Sequence, residues 1–156
     1  MKPILQLEGY HFDNIQISAN EGSVATSSEH RVHSHVKCGI SNEDPHRWQI
    51  ILDLETEGGK EGDPVPPYNI RIQAVGFFSE SLEDLSLEDR QDLMVINGGS
   101  ILFSATREFL LMITGRGPAG PYKLPTIRFP KVSRPSDSDT PNSEEKTPTM
   151  ATREPE

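Results

Sequence analysis

Cysteine is nearly absent: Cys38 stands alone. No intrachain disulfide framework and no cysteine-rich zinc module can form, and a reducing compartment is the simpler expectation. Long apolar runs are missing too. Nothing approaches the roughly 18 to 20 apolar residues that a bilayer-crossing helix needs. The start, Met1-Lys2-Pro3, reaches Glu8 without the apolar core of about 7 to 15 residues that marks a secretory leader. The expectation is a cytoplasmic chain without direct membrane insertion. Basic charge is scarce, with 15 Lys+Arg against 24 Asp+Glu and a formal net charge of −9. That argues against a nucleic-acid-binding face, which needs clustered Lys and Arg to replace phosphate counterions, and leaves basic or unfolded partners open.

Apolar residues are few as well, at 33% of the 156, so either the fold is thin or part of the chain is not folded. The C-terminus fits the second description. From Lys131 to Glu156 the only apolar residues are Val132, Met150 and Ala151, while prolines recur at 135, 141, 148 and 155 among Ser, Thr, Asp and Glu. Such a segment buries too little surface to offset its ordering entropy. The division predicted is one folded domain over 1–130 and a disordered polar tail over 131–156. The body itself is acidic, with 11 Lys+Arg against 18 Asp+Glu.

Four strand-like runs fill the first eighty residues. Leu5 to Ser18 carries Tyr10, Phe12, Ile15 and Ile17, with Asp13-Asn14 breaking the alternation as a bulge would. Arg31 to Ile40 sets Val32, Val36, Cys38 and Ile40 against Arg31, His33, His35 and Lys37, which makes one face wet. Trp48 to Glu55 groups Trp48, Ile50, Leu52 and Leu54, and Tyr68 to Phe78 groups Ile70, Ile72, Ala74 and Phe78. Short links without an intervening helix predict an antiparallel meander.

Helical character begins later. Ser86 with Asp89 three residues on suggests a capping box, and a helix follows from about Leu87 to Ile96. Gly98-Gly99 predicts a kink or break, and a second stretch runs from Ser100 to about Thr114, ended by Gly115-Arg116-Gly117-Pro118. Ile101, Leu102, Phe103, Ala105, Phe109, Leu110, Leu111, Met112 and Ile113 leave little polar surface on that stretch, so one sheet face cannot cover it. A second copy of the chain is the expected cover. The predicted oligomer interface is Ile101, Phe103, Arg107, Phe109, Leu110, Met112 and Ile113, with Arg107-Glu108 fixing helix register there. The final segment, Pro121 to Pro130, is extended by its prolines.

Chemistry-bearing groups are sparse. His33 and His35 share one side of a strand at about 7 Å, which makes half a metal site at best. A small metal-binding protein or enzyme built on them is the competing reading of another class. Cys38 alternates with Val36 and Ile40 and reads as an inert core thiol. The glycines at 98, 99, 115 and 117 do not join a strand to a helix as phosphate loops do. No catalytic residue, metal site or cofactor is assigned.

The series Gly76-Phe77-Phe78, then an acidic stretch, then Gly99-Ser100-Ile101-Leu102-Phe103-Ser104-Ala105-Thr106-Arg107-Glu108, then Gly115-Arg116-Gly117, then Leu124-Pro125-Thr126-Ile127-Arg128-Phe129 resembles the SecB family. The resemblance implies an α+β fold with a four-stranded antiparallel sheet and one long kinked helix packed on it. It also implies dimers joined through sheets and two dimers joined through helices into a homotetramer. It implies an ATP-independent holdase for unfolded proteins or preproteins in protein export. The client groove would be lined by Ala19 to Arg31, Val32 to Ile40 and Pro121 to Phe129, with Val24, Val32, Val36, Tyr122, Leu124, Ile127 and Phe129 as the contacting residues. Handover to the SecA motor would use an acidic outer sheet face, here Asp13, Asp53 and Glu55. Two departures stand out: no second helix follows the extended segment, and Arg71 and Gln73 lie beside Asp53 and Glu55. A variant within the class is a chaperone dedicated to one partner, such as the antitoxin of a toxin–antitoxin pair.

Overall fold

The computed structural model describes residues 4–21, 31–56 and 65–131. Val24 and all of the tail but Lys131 lie outside them. Four strands form one antiparallel sheet: β1 (Leu5–Ala19), β2 (Val32–Ile40), β3 (Arg47–Thr56) and β4 (Tyr68–Glu80). Their order is β1-β4-β3-β2, so the expected meander holds for β2, β3 and β4 but not for β1. The first strand pairs with the last, Leu5 facing Glu80 and Ala19 facing Tyr68. Crossing three strand spacings of about 4.8 Å is well within reach of the residues between β1 and β2.

β1 carries two register shifts, between Leu7 and Gly9 and between Phe12 and Asn14. The second is the break foreseen at Asp13-Asn14. Each extra residue flips the alternation, which is how Leu7, Phe12 and Ile17 all pack on one core despite unequal spacing. β3 alternates throughout, and β4 does so up to Ala74, after which Val75 and Gly76 are buried in succession. Trp48, Ile50, Leu52, Leu54, Ile70, Ile72, Ala74 and Phe78 are buried on the inner face, while the outer face is polar at Gln49, Asp53, Glu55, Asn69, Arg71 and Gln73 and apolar at Ile51, Val75 and Phe77, of which Val75 is buried.

The helical region covers one side of the sheet as a continuous rod: α1 (Leu87–Leu93), a π-helical turn (Met94–Gly98) and α2 (Gly99–Thr114). Ser86 caps it. Its hydroxyl accepts from the Asp89 amide at 3.1 Å, the N-cap bond that Ser-x-x-Asp foreshadows, and donates to the Asp89 carboxylate at 2.7 Å, where a full capping box would instead have that carboxylate on the Ser86 backbone amide. The expected break at Gly98-Gly99 takes the form of a widened turn, with helical backbone retained through both glycines. The close approach explains the glycine: a Cβ on Gly98 would meet Ile50 Cγ1 at 2.9 Å. Gly76 serves the same contact from the sheet, since a Cβ there would meet Leu102 at 2.8 Å.

A buried ionic cluster locks the start of the rod to the sheet. The Glu80 side chain is fully buried and takes hydrogen bonds from Arg90 Nε at 2.7 Å, the Leu82 amide at 2.5 Å and the Trp48 indole at 3.4 Å. His46 Nδ1 lies 3.3 Å away. Burial opposes the Glu80 charge, but the Leu82 amide, Arg90 and Trp48 outweigh it and hold the carboxyl below its usual range.

Candidate functional site

The inner face of the sheet is wider than one helix. α2 turns Leu102, Phe103, Thr106, Leu110 and Thr114 inward, and the remaining strip is covered by the chain that follows. Gly115 and Gly117 end α2 without leaving the negative-φ region, and the left-handed residue is Gly120, at φ 74°. The Tyr68 hydroxyl fixes this exit by donating to the Gly120 carbonyl at 2.8 Å and accepting from the Ala119 amide at 3.2 Å. Beyond it, residues 121–131 run extended without joining the sheet.

The path of this strap is set by its ends. The Tyr122 amide donates to Thr114 Oγ1 at 2.7 Å, and the Tyr122 ring meets Tyr68 edge-on. Phe129 lies against Phe103, at 6.0 Å between ring centres, and beside Gly99. Thr114 and Gly99 are the two ends of α2. Fifteen residues of helix at about 1.5 Å each and seven of extended chain at about 3.3 Å each both give about 23 Å. The strap therefore runs fully stretched and antiparallel to α2 along its whole length. Midway, Arg107 donates to the Leu124 carbonyl at 3.0 Å.

This arrangement revises several expectations. Tyr122, Leu124 and Phe129 are at most 8% exposed, so they belong to the core of the chain itself and do not stand open as groove lining. Ile127, Val32 and Val36 are partly buried against that core, and Val36 approaches the same Gly99 as Phe129. They remain at the rim between the strap and the edge strand β2. Phe103 and Leu110 likewise turn into the core of the chain, and Arg107 holds the strap. The strap accounts for the apolar residues on one further side of the helix.

Of the expected oligomer residues, Ile101, Met112 and Ile113 are exposed, and Phe109 is partly buried against Phe12, with ring centres 4.5 Å apart. Ser104 and Glu108 interrupt the exposed side of α2. On the inner face of β1, Tyr10 and Ile15 are 47% exposed beyond the cover of the helix. With Phe12 and Phe109 they form an apolar rim along an unpaired strand edge.

The outer face has a different character. A depression of about 580 Å³ is lined by Asn14, His33, His35, Asp53, Glu55, Arg71 and Gln73 among others. His33 faces Glu55 and His35 faces Asp53 across the β2–β3 ladder. Among the described residues no three His, Cys, Asp or Glu side chains are grouped to hold a metal ion. Asp53 is buried enough for desolvation to oppose its charge, yet the Gln73 amide at 2.6 Å and Lys37 at 3.3 Å hold its carboxyl below the usual range. Glu55 pairs with Arg71. Asp13, at the bulge, is exposed. The acidic outer face expected for SecA is thus matched by bases at two of its three positions. Cys38 has its thiol pushed up to about 11 by burial, as expected of an inert one.

The strap-to-rod contacts were not foreseen. The pattern Tyr122, Leu124, Ile127, Phe129 marked apolar contacts, but only the length match with α2 shows that the chain supplies its own partner for them.

Among the described residues no helix is long and apolar enough to cross a membrane. The sequence matches no protein-family model and no curated protein. Among solved structures, the SecB-like chaperone of Mycobacterium tuberculosis, determined in complex with a peptide from an antitoxin, superposes with a TM-score of 0.57 at 12% identity, over 79% of this chain and 90% of that one. A protein of unknown function from Streptococcus agalactiae superposes at 0.42 and 8% identity, over 79% of this chain and 97% of that one. The fold of this chain, a four-stranded antiparallel sheet carrying one long helix, is SecB-like.

Proposed function

We propose that this chain is an ATP-independent holdase of the SecB type, a cytoplasmic chaperone and not an enzyme, which binds non-native polypeptides and assembles as a homotetramer, a dimer of dimers. The observation that carries the reading is the strip of the inner sheet face that the helix leaves, which accepts an extended apolar chain, here the strap, through side-chain contacts. An unfolded client offers apolar side chains and unpaired backbone groups, and an apolar channel flanked by open strand edges accommodates both without reading sequence. Holding a client needs no nucleotide, only binding that outcompetes its aggregation. The likeness to a chaperone seated on an antitoxin peptide supports the same reading.

Light scattering from a destabilised client tests it: stoichiometric amounts of this protein suppress aggregation, and an unchanged scattering trace refutes the proposal. Native mass spectrometry of the free protein tests the tetramer. For assembly, the exposed Ile101, Met112 and Ile113 and the β1 rim offer the contacting surface. The paired charges Lys37–Asp53 and Arg71–Glu55 favour a chaperone dedicated to one partner over delivery of preproteins to SecA. Calorimetric titration with SecA separates the two, a saturating heat supporting export.

A further inference from the structure

We propose that the strap, residues 121–130, occupies the channel a client enters, so that a client is held by displacing it and is selected for the same side-chain spacing. The proposal rests on the holdase reading and adds to it a competitor and a client class.

Three features of the strap point to displacement. Among the described residues its backbone makes few hydrogen bonds. Pro121, Pro125 and Pro130 have no amide hydrogen to give, and among the described residues no backbone-to-backbone hydrogen bond joins 121–131 to a strand. Two hydrogen bonds hold its backbone to the helix, the Tyr122 amide on Thr114 Oγ1 and the Leu124 carbonyl on Arg107. Both partners are side chains of α2. What seats the strap is therefore its side chains, Tyr122, Leu124 and Phe129 buried and Ile127 partly so. Finally, the strap lies stretched along the full length of α2, so no slack chain has to be rearranged for it to lift away as one piece.

A segment held this way can be replaced by another with the same properties. The spacing i, i+2, i+5, i+7 of aromatic and branched aliphatic residues defines the client class: extended, apolar stretches of a non-native polypeptide. Because the channel makes no backbone ladder, proline between those positions is tolerated.

Hydrogen exchange on the full chain tests the proposal, with a reduced and alkylated, permanently unfolded protein as the client. On saturation, the Tyr122 amide, which donates to Thr114 Oγ1, loses its protection while the amides of α2 keep theirs. Arg107→Ala, which removes one anchor, binds the client about tenfold tighter than the parent. Ile127→Ser, at a partly buried position, carries the same expectation should Arg107→Ala fail to fold. A synthetic peptide of residues 120–131 competes with the client, and the same peptide with alanine at the Tyr122 and Phe129 positions does not. A client that binds while strap protection is unchanged overturns the proposal and leaves the holdase reading standing. If neither the parent nor a folded variant binds any client, both fall together.

Discussion

Replacing Glu80 with glutamine removes one charge from the cluster that joins β4, α1 and the turn before β3. The Glu80 side chain is 0% exposed and Arg90 only 12%, so the variant leaves a guanidinium largely out of water with no counter-charge. Breaking a buried pair in this way costs about 3 to 5 kcal/mol. Glutamine keeps the volume and an acceptor for the Trp48 indole, which puts the expectation near the lower end, about 3 kcal/mol. For an ordered body of this size about 1 kcal/mol moves Tm by about 4 °C, so Tm falls by about 12 °C. Trp48 is the sole tryptophan, buried and bonded to Glu80; its fluorescence in urea and thermal melts is the assay. The pH dependence fixes the sign. The folded Glu80 carboxyl is held below its ordinary value of 4.5, so its contribution is present above that value and lost as pH falls through the lower, folded one. The parent and Glu80→Gln curves must converge in acid. A difference under about 1 kcal/mol at pH 7, or one that persists undiminished at low pH, would refute the reasoning.

Thr114→Val keeps the shape of a fully buried side chain but leaves the Tyr122 amide without its acceptor. It should lower stability by about 1 to 3 kcal/mol in urea denaturation while far-ultraviolet circular dichroism stays unchanged. Cys38, with its thiol raised to about 11, should resist iodoacetamide at pH 8 until the chain unfolds. Because its folded pKa lies above the unfolded one, Cys38 also makes stability decline as pH rises from about 9 towards 11, a slope that Cys38→Ala should abolish in alkaline melts.

Strand positions were legible because alternation is a local property. Trp48, Ile50, Leu52 and Leu54 can share a face only if the chain is extended, and the Asp13-Asn14 irregularity announces its bulge in the same terms. Strand order was not legible. A pattern of period two says which face a residue takes and nothing about its neighbour, and the residues between β1 and β2 are long enough to turn back or to cross. The helix was read to within a few residues, but its two-sided apolarity has two solutions, a second copy or a returning segment of the same chain. The prolines of the strap pointed to extension and left its destination open. Burial of Tyr122, Leu124 and Phe129 shows the returning segment covering one side of the helix, and Ile101, Met112 and Ile113 stay exposed on another. On the outer face, Arg71 beside Glu55 could be foreseen from strand pairing alone, and it is in place.

The pairing of the first strand with the last also sets the order of events in time. β2, β3 and β4 can zip as successive hairpins as they are made, but Leu5 has no partner until Glu80 exists. Those intervening 75 positions, at about 5 to 20 residues per second on a ribosome, correspond to roughly 4 to 15 seconds. For most of that interval Tyr10, Phe12, Ile15 and Ile17 travel unpaired, since their partners Gly76, Ala74, Ile72 and Ile70 are made only shortly before Glu80. Meanwhile the β4 edge that will receive them takes shape last. Pairing at such separation is slow relative to local hairpins, and two nascent chains close together can exchange first strands before either closes on itself. Crowding on a polysome should therefore raise the fraction of strand-exchanged dimers, which spacing out translation would reduce.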